Sequence, residues 1–267
     1  MTECPGFGVV LGRLMERRGL GVPELARQAG IPEAGLRVVL GGTVPDQARL
    51  RRLAPALGMH EADLLAIAWE DVPEDLAPLD WRAGGMSLYH LVADAARLAP
   101  GQVRELREGV GRMPQEPRPR LPPPPWESRR PERPERTPGG MLVRLFANRN
   151  LATSAGYAIW GVSGRVLSGV TPASQGYRGE ELTREELADY ISVLDISAAD
   201  MSIVTGVDLP AQVPGRPPGA AETARLIWDA RRLTSDQVRE VRQTARSCRE
   251  RRGQGCTPPA PENRHFQ

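Results

Sequence analysis

The stretch that decides the fold is VPELARQAGIPEAGLRVVLG, residues 22–41. Its apolar residues recur at the spacing of two helices that cross over a shared core; they are Leu25, Ala29, Ile31, Leu36 and Val39. Ala26 is small where the second helix has to approach the first closely. Gly30 supplies the turn between them, for which a positive φ suits glycine. The stretch therefore predicts a helix-turn-helix unit.

Helical spacing continues on both sides of this unit. The pattern predicts short helices at 8–18, 22–29, 32–40, 46–57 and 61–69, and a pair of helices at 86–97 and 100–111. Glycines separate the short helices, and Asp46 and His60 stand where a helix N-cap is useful. No segment alternates as a strand does, so the predicted fold class is all-α.

Three blocks of the sequence occur twice. Residues 11–31 recur as residues 142–162, and Arg18 returns as Arg149. The two later repeats keep the same order: 49–73 matches 184–210, and 94–107 matches 229–242. This order indicates two duplicated helical units, each with a helix-turn-helix domain and a helix pair.

The predicted organisation has six parts. They are a helix-turn-helix domain at 1–72, a helix pair at 73–112, a Pro/Arg-rich linker at 113–140, a diverged second helix-turn-helix-like domain at 141–212, a second helix pair at 213–250 and a disordered tail at 251–267. The proline-rich linker is interpreted as a spacer, with a ligand for an aromatic-lined groove as the alternative.

The helix pairs carry an apolar stripe that is too wide to remain exposed. The stripe has to pack on its own helix-turn-helix domain, on the other copy or on a second chain. The expected assembly is therefore a homodimer or a pseudo-dimer formed through the helix pairs.

Composition excludes several classes of function. The 35 basic residues against 33 acidic ones give a net charge of +2, which permits nucleic-acid binding without arguing for it. The three cysteines and three histidines lack the spacing of a metal site, so we expect free thiols, no metal and no cofactor. No apolar segment is long enough to span a membrane and no secretion signal is present, which predicts a cytoplasmic protein without a membrane partner. No catalytic constellation is visible, so an enzyme is not expected.

At residues 8–69 the chain resembles the Cro/lambda-repressor-like (XRE) family of helix-turn-helix transcriptional regulators. The resemblance rests on the pattern LAxxAG(I/V)…L…GG, which begins here at Leu25, and on the following helix RLRRLAPALGM at 49–59. It implies a five-helix domain that binds double-stranded DNA and whose third helix enters the major groove.

The resemblance also implies which residues meet DNA. Its recognition helix corresponds to Pro32–Leu40, with Glu33, Ala34 and Arg37 facing the bases. Arg37 is the strongest base reader of the three, because Glu33 accepts only from cytosine and Ala34 only touches a thymine methyl. Phosphate contacts correspond to the starts of the second helix, 22–24, and of the fourth, 47–52.

Arginines supply the candidate phosphate contacts. Arg49, Arg51 and Arg52 form a dense cluster that is interpreted as uncompensated, which favours phosphate contact over an ordinary solvated face. Arg17 on the first helix is a further candidate, and an ordinary solvated face is an equally good interpretation of it.

In the second copy, Tyr157 stands where the first has the small Ala26. Its candidate DNA contacts are Ser163, Arg165 and Ser168. A second DNA-reading head and a structural support for the first copy are equally compatible with this sequence.

Two functions of different classes follow. The first is a sequence-specific DNA-binding transcriptional regulator that uses the first copy. The alternative is a helical protein–protein interaction adaptor that keeps the fold and has lost DNA readout. The charge of the face that spans Arg37 and Arg49–Arg52 should discriminate between them.

Overall fold

The computed structural model describes residues 3–119, 135–151, 183–210 and 219–250. All regular secondary structure in these ranges is helical, which confirms the all-α class. The first range contains α1 (Phe7–Arg17), α2 (Val22–Ala29), α3 (Glu33–Leu40), α4 (Gln47–Ala56), α5 (Glu61–Ile67), α6 (Gly85–Ala95) and α7 (Pro100–Arg112), with short 3-10 turns at Glu74–Leu76 and Trp81–Ala83. The later ranges contain α8 (Pro138–Ala147), α9 (Arg184–Ile191), α10 (Ala198–Thr205), α11 (Ala220–Ala230) and α12 (Ser235–Glu250).

Local chemistry sets the helix ends around the helix-turn-helix. The Asp46 side chain accepts a hydrogen bond from the Arg49 amide at 2.8 Å and caps α4, as predicted. Helix α2 ends at Gly30, whose φ of 61° confirms the predicted left-handed turn. His60 precedes α5 as predicted but makes no side-chain capping bond.

The predicted core residues of the helix-turn-helix are buried. Helix α2 packs on α3 and α4, and α1 packs on α3. Gly8 on α1 lies directly against the end of α3, since a Cβ there would stand 2.6 Å from the carbonyl oxygen of Val39. Helix α1 therefore fixes the position of the proposed recognition helix.

Helices at matching positions of the repeated blocks make reciprocal contacts. Helix α1 contacts α10 while α5 contacts α8, and α6 contacts α12 while α7 contacts α11. In the sequence repeats, α8, α10, α11 and α12 correspond to α1, α5, α6 and α7. Such pairwise exchange is the pattern of an isologous, two-fold-related interface.

Two Arg–Asp pairs repeat this exchange in atomic detail. Arg18 beside α1 donates to Asp200 on α10 at 3.1 Å, and Arg149 beside α8 donates to Asp63 on α5 at 2.8 Å. Each guanidinium also donates to the carbonyl oxygen of a leucine. Arg18 donates to Leu57, which follows α4, and Arg149 donates to Leu194, which follows α9. The pairs differ in environment: the Arg149 and Asp63 side chains are 0% and 2% exposed, those of Arg18 and Asp200 21% and 16%.

The helix pairs cover each other's apolar stripes. The stripe of α6 and α7 is buried against α11 and α12, and comprises Leu88, Leu91, Val92, Ala95, Leu98, Val103, Leu106 and Val110. At its edge, Arg107 donates to Asp229 at 2.8 Å, and Arg242 donates to Asp94 at 3.2 Å. Within the described residues, the stripe therefore packs on the later helix pair.

The cysteines differ from one another. Cys4 is a buried free thiol, and burial raises its pKa to about 12. Cys248 is disulfide-bonded, so the expectation of free thiols is wrong for this residue. Spacing along the chain does not reveal which thiols the fold brings within bonding distance. None of the helices in the described ranges is long and apolar enough to cross a membrane.

Candidate nucleic-acid interface

One side of α3 packs on the core and the other faces solvent. Leu36 and Val39 are buried, whereas Ala34, Arg37 and Val38 are exposed. Glu33, at the start of the helix, is partly exposed. The structure therefore brings the three predicted base-facing residues together on the accessible side of α3.

The charge of Arg37 is balanced within its own helix. Its guanidinium lies 2.8 Å from the Glu33 carboxylate one turn earlier, and both side chains are largely exposed. Exposed pairs of this kind contribute only about 0–1 kcal/mol, so Arg37 can exchange Glu33 for another partner. In the unbound protein, however, α3 presents no net charge.

Arg51 is not uncompensated, contrary to the sequence prediction. It donates to Asp75 at 2.7 Å and lies 3.9 Å from Glu61. These carboxylates raise the pKa of Arg51, chiefly through the hydrogen bond that Arg51 donates to Asp75. The prediction was wrong because Asp75 comes from an element 24 residues further along the chain.

The other two arginines of α4 also have partners. Arg49 lies 3.6 Å from the carboxylate of Asp46, which caps the same helix. Arg52 donates to the carbonyl oxygen of Gly30 at 2.9 Å and so ties α4 to the turn of the helix-turn-helix. The cluster is thus close to α2 and α3, but its charge is largely neutralised locally.

Arg17 lies away from this cluster. It pairs with Asp200 on α10 at 3.2 Å, at the C-terminal end of α1. Helix α3 packs near Gly8, at the opposite end of α1. Arg17 therefore belongs to the contact between α1 and α10.

The start of α2 combines free backbone donors with an acidic side chain. Its N-cap, Gly21, offers no side-chain hydrogen bond, and Pro23 has no N–H, which leaves the amides of Val22 and Glu24 as the first-turn donors for an anion. Glu24 in that turn is held by Arg27 at 2.6 Å and by Gln28.

Three candidate DNA contacts belong to the second copy. Ser163, Arg165 and Ser168 lie outside the described residues, as does Tyr157.

Sequence reasoning missed an aromatic cluster between the repeated blocks. The His60 ring stacks on Trp228 of α11, with ring centroids 3.6 Å apart. The guanidiniums of Arg231 and Arg149 lie 4.2 and 4.9 Å from the Trp228 centroid. The one signal in the sequence was the repeat, which aligns Arg149 of this cluster with Arg18. The cluster joins the start of α5 to α11. It does not include any residue of α3.

The half-buried His60 predicts a pH-dependent stability. Burial lowers the pKa of His60 below its ordinary value of 6.5, and the neighbouring charges act in both directions: Asp63 and Asp195 raise it, while Arg149 and Arg231 lower it. As the pH falls below 6.5, the unfolded chain therefore binds a proton that the folded chain resists. We expect the free energy of unfolding to keep its full value above this pH and to decrease below it.

Urea denaturation at about pH 8 and about pH 5.5 measures this effect. His60→Gln should show a smaller loss of stability on acidification than the unmodified chain, whereas the control His90→Gln should show the same loss. Equal losses in all three proteins would contradict the prediction.

No protein-family model, curated protein or solved structure matches this chain.

Proposed function

We propose that the chain is a sequence-specific DNA-binding transcriptional regulator that reads DNA with α3. The observation that carries this proposal is the geometry of α2 and α3. They cross at the left-handed turn of Gly30, and α3 is held on its buried side by Leu36 while Arg37 stands on its open side. A helix held on one side and accessible on the other suits the major groove.

The exposed side of α3 supplies chemistry for base recognition. Arg37 can donate two hydrogen bonds to the O6 and N7 atoms of a guanine once it leaves Glu33. Ala34 and Val38 offer apolar surface to a thymine methyl. The uncapped amides at the start of α2 and the arginines of α4 face the phosphates.

The reciprocal contacts support a pseudo-dimer within one chain. Arg18–Asp200 and Arg149–Asp63 are related as the two halves of a symmetric interface would be. In this proposal the two repeated units take the place of the two protomers on which Cro-like regulators rely.

The alternative, a protein–protein interaction adaptor, is favoured by a different observation. Three arginines of the α3 and α4 surface pair with carboxylates and only Arg52 donates to a neutral carbonyl oxygen, so the surface lacks the continuous positive charge that phosphates attract. Val38 on α3 is also 57% exposed. A neutral and partly apolar surface suits a protein partner better than a polyanion.

Selection of bound genomic DNA fragments by the full chain, over a range of salt concentrations, tests the proposal. An enriched sequence motif supports the regulator. Failure to retain DNA even at low salt supports the adaptor. At low salt a DNA-binding protein should hold any duplex through contacts to the phosphates, without sequence preference.

We expect Arg37→Ala to weaken binding to the selected site by about 1–3 kcal/mol and to relax preference at one or two base pairs. The reason is the loss of a bidentate contact to a base edge. Affinities for the selected site and for substituted sites measure both effects. Arg27→Ala is the matched control, since Arg27 is an exposed arginine of the same unit that pairs with Glu24. Equal weakening on every sequence would show that Arg37 does not read bases.

A further inference from the structure

An acidic segment follows α5 and lies beside the start of α4. It comprises residues 70–76, EDVPEDL, and is called here the acidic strap. Val72 and Leu76 are partly buried against the hydrophobic core, whereas Asp71, Glu74 and Asp75 are exposed. The strap is therefore anchored by its apolar residues and presents its carboxylates outward.

The acidic strap occupies polar groups of α4. Gln47, the first residue of α4, donates through Nε2 to the carbonyl oxygen of Asp71 at 3.2 Å. One turn later, Arg51 donates to the Asp75 carboxylate at 2.7 Å. The start of α4 is the part of the surface that the proposed function assigns to phosphate. A carboxylate thus stands where a phosphate oxygen would bind Arg51.

The contact between Arg51 and Asp75 is weak enough to be displaced. Asp75 is 61% exposed and Arg51 33% exposed, so their ion pair is screened by solvent and weak. A DNA duplex presents a dense array of phosphates and can compete for Arg51. Competition also has to overcome repulsion between these phosphates and the carboxylates of the strap.

Arg118, at the start of the Pro/Arg-rich linker, holds the other end of the acidic strap. Its guanidinium donates to a set of backbone carbonyl oxygens in and just after the strap: Glu74, Ala77, Pro78 and Leu79, at 2.6, 3.1, 2.6 and 3.2 Å. It also lies 3.3 Å from the Glu74 carboxylate. One linker side chain therefore fixes the path of the strap past α4.

We propose that the acidic strap is an autoinhibitory contact that competes with DNA phosphates for Gln47 and Arg51, and that Arg118 holds it in place. This inference rests on the proposed DNA-binding function. Release of the strap frees two donors at the start of α4 and moves negative charge away from the duplex. Arg118 thereby controls the affinity of the helix-turn-helix for DNA.

The test is the affinity of the full chain for its selected duplex, measured as a function of salt. Asp75→Asn should tighten binding roughly three- to tenfold at low salt. It should also steepen the log–log salt dependence by about 0.9, the value for one added phosphate contact. Asp236→Asn is the matched control: Asp236 is an exposed carboxylate on α12, 2.8 Å from Arg239. Its removal changes the net charge equally, and we expect less than about a twofold effect.

Arg118→Gln provides an independent test. Loss of a positive charge should by itself weaken DNA binding, whereas release of the acidic strap should tighten it. Tighter binding by this variant supports the proposal, and weaker binding overturns the role of Arg118. Thermal unfolding verifies that each variant keeps the fold.

The remaining outcomes separate the inference from the function on which it rests. If the unmodified chain binds DNA and Asp75→Asn behaves like Asp236→Asn, the autoinhibitory contact is overturned and the DNA-binding function stands. If neither the unmodified chain nor any variant binds DNA at low salt, both are overturned.

Discussion

Asp63→Asn is expected to lower the free energy of unfolding by about 3–5 kcal/mol, because it leaves a buried guanidinium without its counter-charge. Both terminal nitrogens of Arg149 donate to the Asp63 carboxylate at 2.8 Å, and Asn148 donates to it at 3.0 Å. The Arg149 side chain is fully buried, so water cannot replace the lost acceptor. An amide at position 63 keeps the shape of the carboxylate but offers a single acceptor oxygen and no charge.

The repeat supplies a matched control at the equivalent position. Asp200→Asn removes the same carboxylate from Arg18, and from the more exposed Arg17 beside it, but the side chains of Asp200 and Arg18 are 16% and 21% exposed. Solvent can rehydrate Arg18, so we expect a cost of about 1 kcal/mol or less. Urea denaturation of the full chain measures both variants. Equal costs would show that burial does not determine the difference between the two pairs.

A double variant shows whether Asp63→Asn loses stability through an unbalanced charge or through poorer packing. Replacing Asp63 by Leu together with Arg149 by Met removes both buried charges at once. It should recover most of the stability that Asp63→Asn loses, since well-packed apolar pairs often replace buried ion pairs without cost.

The helices were predictable because their determinants are local. Apolar spacing, the capping Asp46 and the turn at Gly30 each act within a few residues of the helix that they shape. The helix-turn-helix bounds accordingly agree with the structure to within one residue at α2 and α3. The placement of Ala34 and Arg37 on the open side of α3 came from the family resemblance, and both residues are exposed.

Two of the ion pairs were not predictable, because their partners are remote in sequence. Arg51 meets Asp75 across 24 residues, and Arg149 meets Asp63 across 86. Sequence inspection could count the arginines of α4 but not the carboxylates that the fold brings to them. The repeat marked Arg149 as a special position without identifying its acceptor, since the acceptor belongs to the other unit.

Gly8→Ala is expected to destabilise the protein by about 3 kcal/mol, the upper end of the usual cost of overpacking. An added Cβ would stand 2.6 Å from the carbonyl oxygen of Val39, 2.9 Å from that of Leu40 and 3.1 Å from the amide nitrogen of Gly42. All three atoms are backbone and cannot rotate away as a side chain would. The end of α3 therefore has to move away from α1.

Gly12→Ala, one turn later on α1, is the matched control. A Cβ there would meet only the Leu40 side chain, at an ordinary contact distance of 3.7 Å. Alanine is favoured over glycine inside a helix by up to about 1 kcal/mol, so this variant should be slightly more stable than the unmodified chain. The two substitutions make the same chemical change in the same helix, and they differ chiefly in whether the new methyl meets the backbone of α3. The midpoint temperature of thermal unfolding should thus fall for Gly8→Ala and rise slightly for Gly12→Ala. A shift in the same direction for both would mean that α1 does not set the position of α3 through the close approach at Gly8.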